Sequence, residues 1–197
     1  MRRITMGTGF NDELRLKILL STIEVFNTHG MRFTMDDIAS HMKISKKTIY
    51  TVYKSKDEMM LDMVDYIFDN VAISKRAILE DRQMSLRDKI KAYLTAMPDE
   101  YSSIKFTELF VLRDKFPHLF EKVRNRFQSG WDPAFELLNQ GKEEGIIRKD
   151  ANLIIFKTMM DSSLASFFAS DILKRSGLTY REGLDLVAEI LLDGIKA

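Results

Sequence analysis

The chain predicts an all-α protein: a three-helix module at the N-terminus and a larger helical body after it, about nine helices in all. Three observations carry this expectation. Apolar residues recur at i, i+3, i+4 and i+7 along most of the 197 residues, the period of a helix with one buried face. Hydroxyl residues, glycines and prolines fall between those runs, where helices start and stop. No segment alternates with the two-residue period of a strand, and there is neither an internal repeat nor a low-complexity tract.

Residues 1–9 are rich in Gly, Thr and Arg and read as an arm or a disordered segment. A first helix is expected over 10–27, with Leu16, Leu19, Leu20, Ile23 and Phe26 on one stripe and Gly30 as its stop. Thr34 caps a second helix, 34–41, and Asp37 completes a capping box. Met35, Ile38, Ala39 and Met42 point it inward, and a short turn at Met42-Lys43-Ile44 follows. Ser45 opens a third helix, 45–51, in which Ile49 and Val52 face the core while Lys46, Lys47, Thr48 and Tyr50 face out. Two helices joined by so short a turn, the second opened by a hydroxyl, form the helix-turn-helix pattern. The module thus spans 10–56, with the motif at about 34–54, and a second domain spans 57–197.

Ser55 and Glu58 box the start of a long fourth helix running to about Glu80, with Met60, Met63, Val64, Ile67, Phe68 and Val71 on one stripe. Helices are then expected at about 85–97, ended by Pro98, and at about 101–114, ended before Pro117. Another covers 117–143, with a break at Ser129–Pro133 and a stop at Gly145. The most apolar helix, 150–175, exceeds a single face and stops at Gly177, and a last one over 179–195 carries Leu184, Val187, Ala188 and Leu191.

The formal charge of +1 hides an asymmetry. Residues 1–56 hold ten Lys/Arg against five Asp/Glu, a net of +5, and the remainder is net −4. Residues 41–56 hold five lysines and no acid. A basic module on a mildly acidic body points to a polyanion as partner of the module alone. The acid-free start of the third helix suits that partner, because a carboxylate there would face phosphates.

Other classes are excluded by what is missing. No cysteine is present, so there is no disulfide, thiolate metal site or cysteine nucleophile, in keeping with the cytoplasm. No apolar run reaches the ~20 residues of a membrane helix, and no apolar segment follows Arg2 and Arg3 as in a secretory signal. His29, His41 and His118 have no metal-ligand spacing, and there is no phosphate loop or nucleophile elbow. The chain is therefore not expected to be an enzyme or to hold a cofactor or metal.

For duplex DNA the module divides its residues by role. Lys46, Tyr50, Tyr53, Lys54 and Lys56 suit phosphate contacts, with the tyrosine rings against the module and their hydroxyls outward. Thr34 and Ser45 suit them through the helix starts they cap. Lys47 and Thr48, at the start of the recognition helix, suit base edges in the major groove.

Ile18-Leu19, Glu24-Val25-Phe26, Gly30, Phe33-Thr34-Met35, Asp37-Ile38-Ala39, Ile44 to Tyr50 and Ser55 to Glu58 together resemble the N-terminal signature of TetR-type transcriptional regulators. The resemblance covers about residues 12–60, with many positions in fixed register. Two lysines depart from it: Lys43 and Lys47 stand where that family usually has glycine. The first predicts a left-handed non-glycine residue in the turn, and the second an altered base preference.

The resemblance implies a sequence-specific DNA-binding regulator, most often a repressor relieved by a small molecule, bound as a homodimer to a palindromic operator. The alternative is a regulator without a ligand, whose body serves dimerisation or a protein partner. The apolar surplus of 150–175 supports a dimer, and the family's four-helix bundle implies Phe156, Met160, Leu164, Phe167, Leu184, Val187 and Leu191 at the interface. A pocket for an apolar or aromatic ligand would draw on Met63, Ile67, Tyr93, Met97, Phe106, Phe110, Phe127, Trp131, Phe135 and Met159.

Overall fold

Hydroxyl side chains start the helices where the sequence places them. Thr34 Oγ1 accepts from the Asp37 N–H at 3.2 Å while the Asp37 carboxylate accepts from the Thr34 N–H at 2.6 Å, a complete capping box. Thr179 and Glu182 repeat it at 3.2 and 2.7 Å. Ser45 and Ser85 accept from the N–H groups of Thr48 and Asp88 at 3.1 and 3.2 Å.

The computed structural model describes residues 10–98 and 116–197. Among them the order is α1 (Phe10–His29), a 3-10 turn (Gly30–Arg32), α2 (Met35–Met42), α3 (Lys46–Tyr50), α4 (Lys56–Glu80) and α5 (Leu86–Leu94). It continues with α6 (Pro117–Gln128), α7 (Asp132–Glu143), α8 (Leu153–Ala169), the single-turn α9 (Ile172–Arg175) and α10 (Tyr180–Gly194). The all-α expectation holds, with nine helices besides the single-turn α9 among the described residues. The expected arm at 1–9 and helix at 101–114 lie outside the described residues. One isolated antiparallel bridge, Ile147 to Lys196, is the sole β-type pairing described.

The chain divides into two compact units, residues 1–66 and 67–197, with the division inside α4 after Tyr66. In the first unit the core is Ile18, Leu19, Ile23 and Phe26 of α1, Phe33, Ile38 of α2, Ile49 of α3, and Met59 and Met60 of α4, all buried. Phe26 and Phe33 meet edge to face at 6.4 Å. The stripe on α1 is turned from the expected one: Leu16 and Leu20 are exposed, and Thr22 is fully buried in their stead. Thr22 tolerates burial because its hydroxyl donates to the Ile18 carbonyl at 2.7 Å.

The turn between α2 and α3 has its left-handed residue at Lys43, φ 55° and ψ 39°. Its N–H donates to the Ser40 carbonyl at 3.2 Å and that of Ile44 to Ala39 at 3.0 Å, closing α2. A side chain in this conformation costs about 1–2 kcal/mol. Part of that is offset by the more restricted unfolded chain of a non-glycine residue. Lys43→Gly is therefore expected to raise stability by about 1 kcal/mol or less, read from the urea midpoint of the full chain; an unchanged or lowered midpoint would mean the turn is unstrained.

In the second unit the core gathers Ile90 and Tyr93 of α5, Leu119 of α6, Leu138 of α7, Phe156, Met160 and Phe168 of α8, and Leu184 and Ala188 of α10. Tyr180 stacks on Phe168 at 5.4 Å and meets Phe167 edge to face at 6.1 Å. Gly141 sits so close to Ile147 that a Cβ would approach its side chain to 2.8 Å, and only glycine fits without a shift. Arg87 and Lys91 of α5 pair with Asp193 and Glu189 of α10.

Two expected helices are split. The break at Ser129–Pro133 separates α6 from α7, as Pro133 requires. The apolar helix ends earlier than Gly177, because Ser170 is extended and its hydroxyl bonds back to the Ser166 carbonyl at 2.9 Å. Local side-chain bonds of this kind compete with helix continuation.

Candidate nucleic-acid interface and cavity

Ile49 and Tyr53 anchor α3 to the core of the first unit, which leaves Lys46, Lys47, Tyr50 and Lys54 exposed. Thr48 is half-buried at the helix start. Its hydroxyl lies 2.8 Å from that of Ser45, so two hydroxyls rather than a carboxylate close the cap. Lys46 is held by Asp36 of α2 at 2.8 Å, and this hydrogen bond raises its pKa. Lys47, Tyr50 and Lys54 thus present a basic, hydroxyl-bearing face, bordered by the Glu58 carboxylate that accepts from the Lys54 N–H at 2.7 Å, and its lysines and hydroxyl fit phosphates and base edges. Thr34 is exposed, but its hydroxyl is committed to Asp37 in both directions.

Two residues differ from their expected roles as phosphate contacts. Tyr53 is only 3% exposed, and its hydroxyl points inward to donate to Asp62 at 2.5 Å. Burial, then that hydrogen bond, pushes the phenol well above its ordinary pKa, so it stays a donor. Arg15 Nε donates to the same carboxylate at 2.7 Å, and α1, α4 and the segment after α3 are joined through Asp62. Lys56 is half-buried; its ammonium donates to the carbonyls of Met31 (2.9 Å) and Phe33 and lies 3.9 Å from the Phe33 ring. It satisfies carbonyls at the end of the 3-10 turn, and burial lowers its pKa. Neither side chain is presented outward, because each completes a bond within the module.

The second unit holds an apolar cavity of about 100 Å³ among α4, α5, α6, α7, α8 and α10. Of the residues expected to form a pocket, Ile67, Tyr93, Met97, Phe127 and Trp131 line it. Met63 is instead in the core of the first unit, and Met159 is 51% exposed on α8. Phe135 packs its ring 5.8 Å from Trp131 outside the lining. Phe106 and Phe110 lie outside the described residues. The lining also takes Phe68, Val71 and Lys75 of α4, and a second cavity of about 210 Å³ shares Phe127 and Leu164 with it. Phe127 has Phe68 at 4.9 Å on one side and Phe168 at 5.0 Å on the other.

The residues expected at a dimer interface are mostly used within the chain. Phe156, Met160, Phe167, Leu184 and Leu191 are buried, and Leu164 and Val187 are half-buried. The apolar surface that remains is one register away. On α8 it is Ile154 (71% exposed), Ile155 (55%) and Met159, and on α10 it is Leu186 (49%) and Ile190 (68%). A helix apolar on more than one face does not announce in its sequence which face turns inward.

Among the described residues there is no cluster of three or more His, Cys, Asp or Glu suited to a metal, and no helix is long and apolar enough to cross a membrane. Residues 18–63 match the sequence model for bacterial regulatory proteins of the tetR family. YvaF, an uncharacterized HTH-type transcriptional regulator of Bacillus subtilis (strain 168), is 25% identical over 181 residues, which are 92% of this chain and 95% of YvaF. A TetR-family transcriptional regulator from Cytophaga hutchinsonii has the same fold at a TM-score of 0.70 and 17% identity, over 96% of this chain and 98% of that one. The ketosteroid transcriptional regulator KstR2 of Mycobacterium tuberculosis has it at 0.61 and 22%, over 93% and 95%.

Proposed function

We propose that the chain is a DNA-binding transcriptional regulator of the TetR type rather than an enzyme, a reading supported by the match over residues 18–63 and the likeness to YvaF, and that it acts as a cytoplasmic, homodimeric repressor released from a palindromic operator by a small apolar or aromatic molecule. The observation that carries the DNA half is the outward face of Lys47, Tyr50 and Lys54 on and after a helix whose cap contains no acid. Lys47 and Thr48 read base edges, while Lys46, Tyr50 and Lys54 hold phosphates. Two modules are needed, because one five-residue helix contacts too few base pairs for useful discrimination. The DNA-binding domain is residues 10–56, and 57–197 binds the ligand and the second copy.

α4 supports the release mechanism. Its first half buries Met59, Met60, Met63 and Val64 in the first unit, and its second half puts Ile67, Phe68 and Val71 into the cavity wall of the second. A ligand that binds one setting of this helix better than the other shifts the population toward it. The paired recognition helices then leave the roughly 34–36 Å spacing of successive major grooves. Unchanged spacing between modules in scattering with and without a ligand would defeat this mechanism.

Selection of bound duplexes from a random pool tests the reading as a whole. The expected product is a palindrome whose affinity falls steeply with salt on a log–log plot; equal affinity for all sequences would overturn it. In the same selection Lys47→Gly is expected to change the preferred base at one position in each half-site, by about 1–3 kcal/mol of discrimination. An identical consensus from both proteins would remove Lys47 from base reading.

A further inference from the structure

We propose that the molecule held in the second unit is an organic acid: an apolar or aromatic body bearing one carboxylate, which pairs with the ammonium of Lys75. This rests on the ligand reading above and specifies its chemistry.

Lys75 continues the stripe of α4, one turn beyond Val71, and is a charged group where the pattern calls for an apolar one. It lines the apolar cavity, and its ammonium lies 4.7 Å from the centre of the Tyr93 ring. The other polar groups of the lining have partners. Arg126 pairs with Asp69, the Tyr93 hydroxyl donates to the Gly130 carbonyl at 3.1 Å, and the Ser129 hydroxyl donates to the Arg126 carbonyl at 2.8 Å. Among the described residues no carboxylate pairs with Lys75.

Burial alone lowers the pKa of this lysine, the sign of a charge held without an anion beside it. A carboxylate entering the cavity would supply the missing counter-charge in surroundings where an ion pair is little screened. A neutral ligand of the same shape would leave the ammonium unpaired. A phosphate monoester is the poorer match, because its dianion calls for several donors and the lining offers one uncommitted cation among the described residues. Phe68, Phe127 and Trp131 then receive the apolar body.

The single tryptophan of the chain, Trp131, lines the cavity, so its fluorescence reports occupancy directly. Two matched pairs of probes separate charge from shape: phenylbutyrate against phenylbutanol, and octanoate against octanol. The full-length protein is expected to bind each acid at least about tenfold more tightly than its alcohol, a difference of about 1.4 kcal/mol. Lys75→Met is expected to lose that preference while still binding the alcohols, and Lys75→Arg to keep it. Far-UV circular dichroism and melting verify that the variants are folded, and Lys75→Gln replaces the methionine variant if that one is not. Equal binding of acid and alcohol by the parent protein, or an acid preference that survives Lys75→Met, would overturn the proposal and leave the ligand reading standing. Fluorescence indifferent to all four compounds would count against both.

Discussion

Ile190→Glu is expected to keep the protein monomeric at concentrations where the proposed dimer of the parent forms. Ile190 is 68% exposed and Leu186, one turn before it on α10, is 49% exposed, while Ile154, Ile155 and Met159 extend an apolar surface along α8. If two copies bury this face, the two-fold axis places two glutamates in it. An unpaired carboxylate in a buried setting costs about 3–5 kcal/mol, so the dimer dissociation constant rises by about three orders of magnitude or more. On the proposed palindromic operator DNA affinity is expected to fall with it, since each monomer would retain one half-site contact. Light scattering gives the mass, and circular dichroism is expected to be unchanged, because an exposed residue contributes little to the fold of one chain. Leu184→Glu makes the contrast: Leu184 is buried within its own unit, and that substitution is expected to unfold the body. Equal masses for Ile190→Glu and the parent protein would remove this face from the interface.

Asp62→Ala is expected to destabilise the first unit by about 2–3 kcal/mol, the range for a lost hydrogen bond to a charged group that leaves a buried donor unmet. The Asp62 carboxylate receives the buried Tyr53 hydroxyl at 2.5 Å and Arg15 Nε at 2.7 Å. Removing it orphans the phenol beneath the segment that follows α3, so the recognition helix loses its support from below. Tyr53→Phe keeps the Arg15–Asp62 pair and is expected to cost about half as much. Arg15 is partly exposed, so its share is the smaller one. Amide exchange in α1 to α4 measures the effect where it arises. A loss under about 0.5 kcal/mol for Asp62→Ala would reduce the network to a surface ornament.

The helices were legible because their signals are local. Thr34, Ser45, Ser55 and Thr179 cap backbone within three residues, and Pro133, tolerated in the first turn of α7, cannot continue a helix arriving from Ser129. Lys43 was legible for the same reason, a left-handed turn being set by neighbouring residues. The sites were less so, because they depend on which of two plausible faces meets the core. Leu16 and Leu20 carry the right period on α1, yet Ile18 and Thr22 win the interior; Thr22 does so with its hydroxyl beside the Ile18 carbonyl at 2.7 Å and the Met59 sulfur at 3.3 Å. Lys56 and Tyr53 look like surface groups until distant partners appear, the carbonyls of Met31 and Phe33 for one and Asp62 for the other. The apolar body helix offered two faces, and the large side chains of Phe156, Met160 and Phe167 took the inner one. Lys75 left a trace that could have been found, a lysine in phase with Ile67, Phe68 and Val71.

The helix caps respond differently to acid. The boxes at α2 and α10 rely on Asp37 and Glu182, whose backbone and hydroxyl bonds to Thr34 and Thr179 lower their pKa values. Their contribution is complete above the pKa of the unfolded carboxylate and disappears as pH falls through the lowered folded value. The cap of α3 is made of Ser45 and Thr48, which carry no titratable proton in this range. Acidification therefore frays the entrance to the scaffold helix and to the last helix while the start of the recognition helix keeps its geometry. The part of the module proposed to meet a polyanion is thereby insulated from the protons that a polyanion gathers around itself.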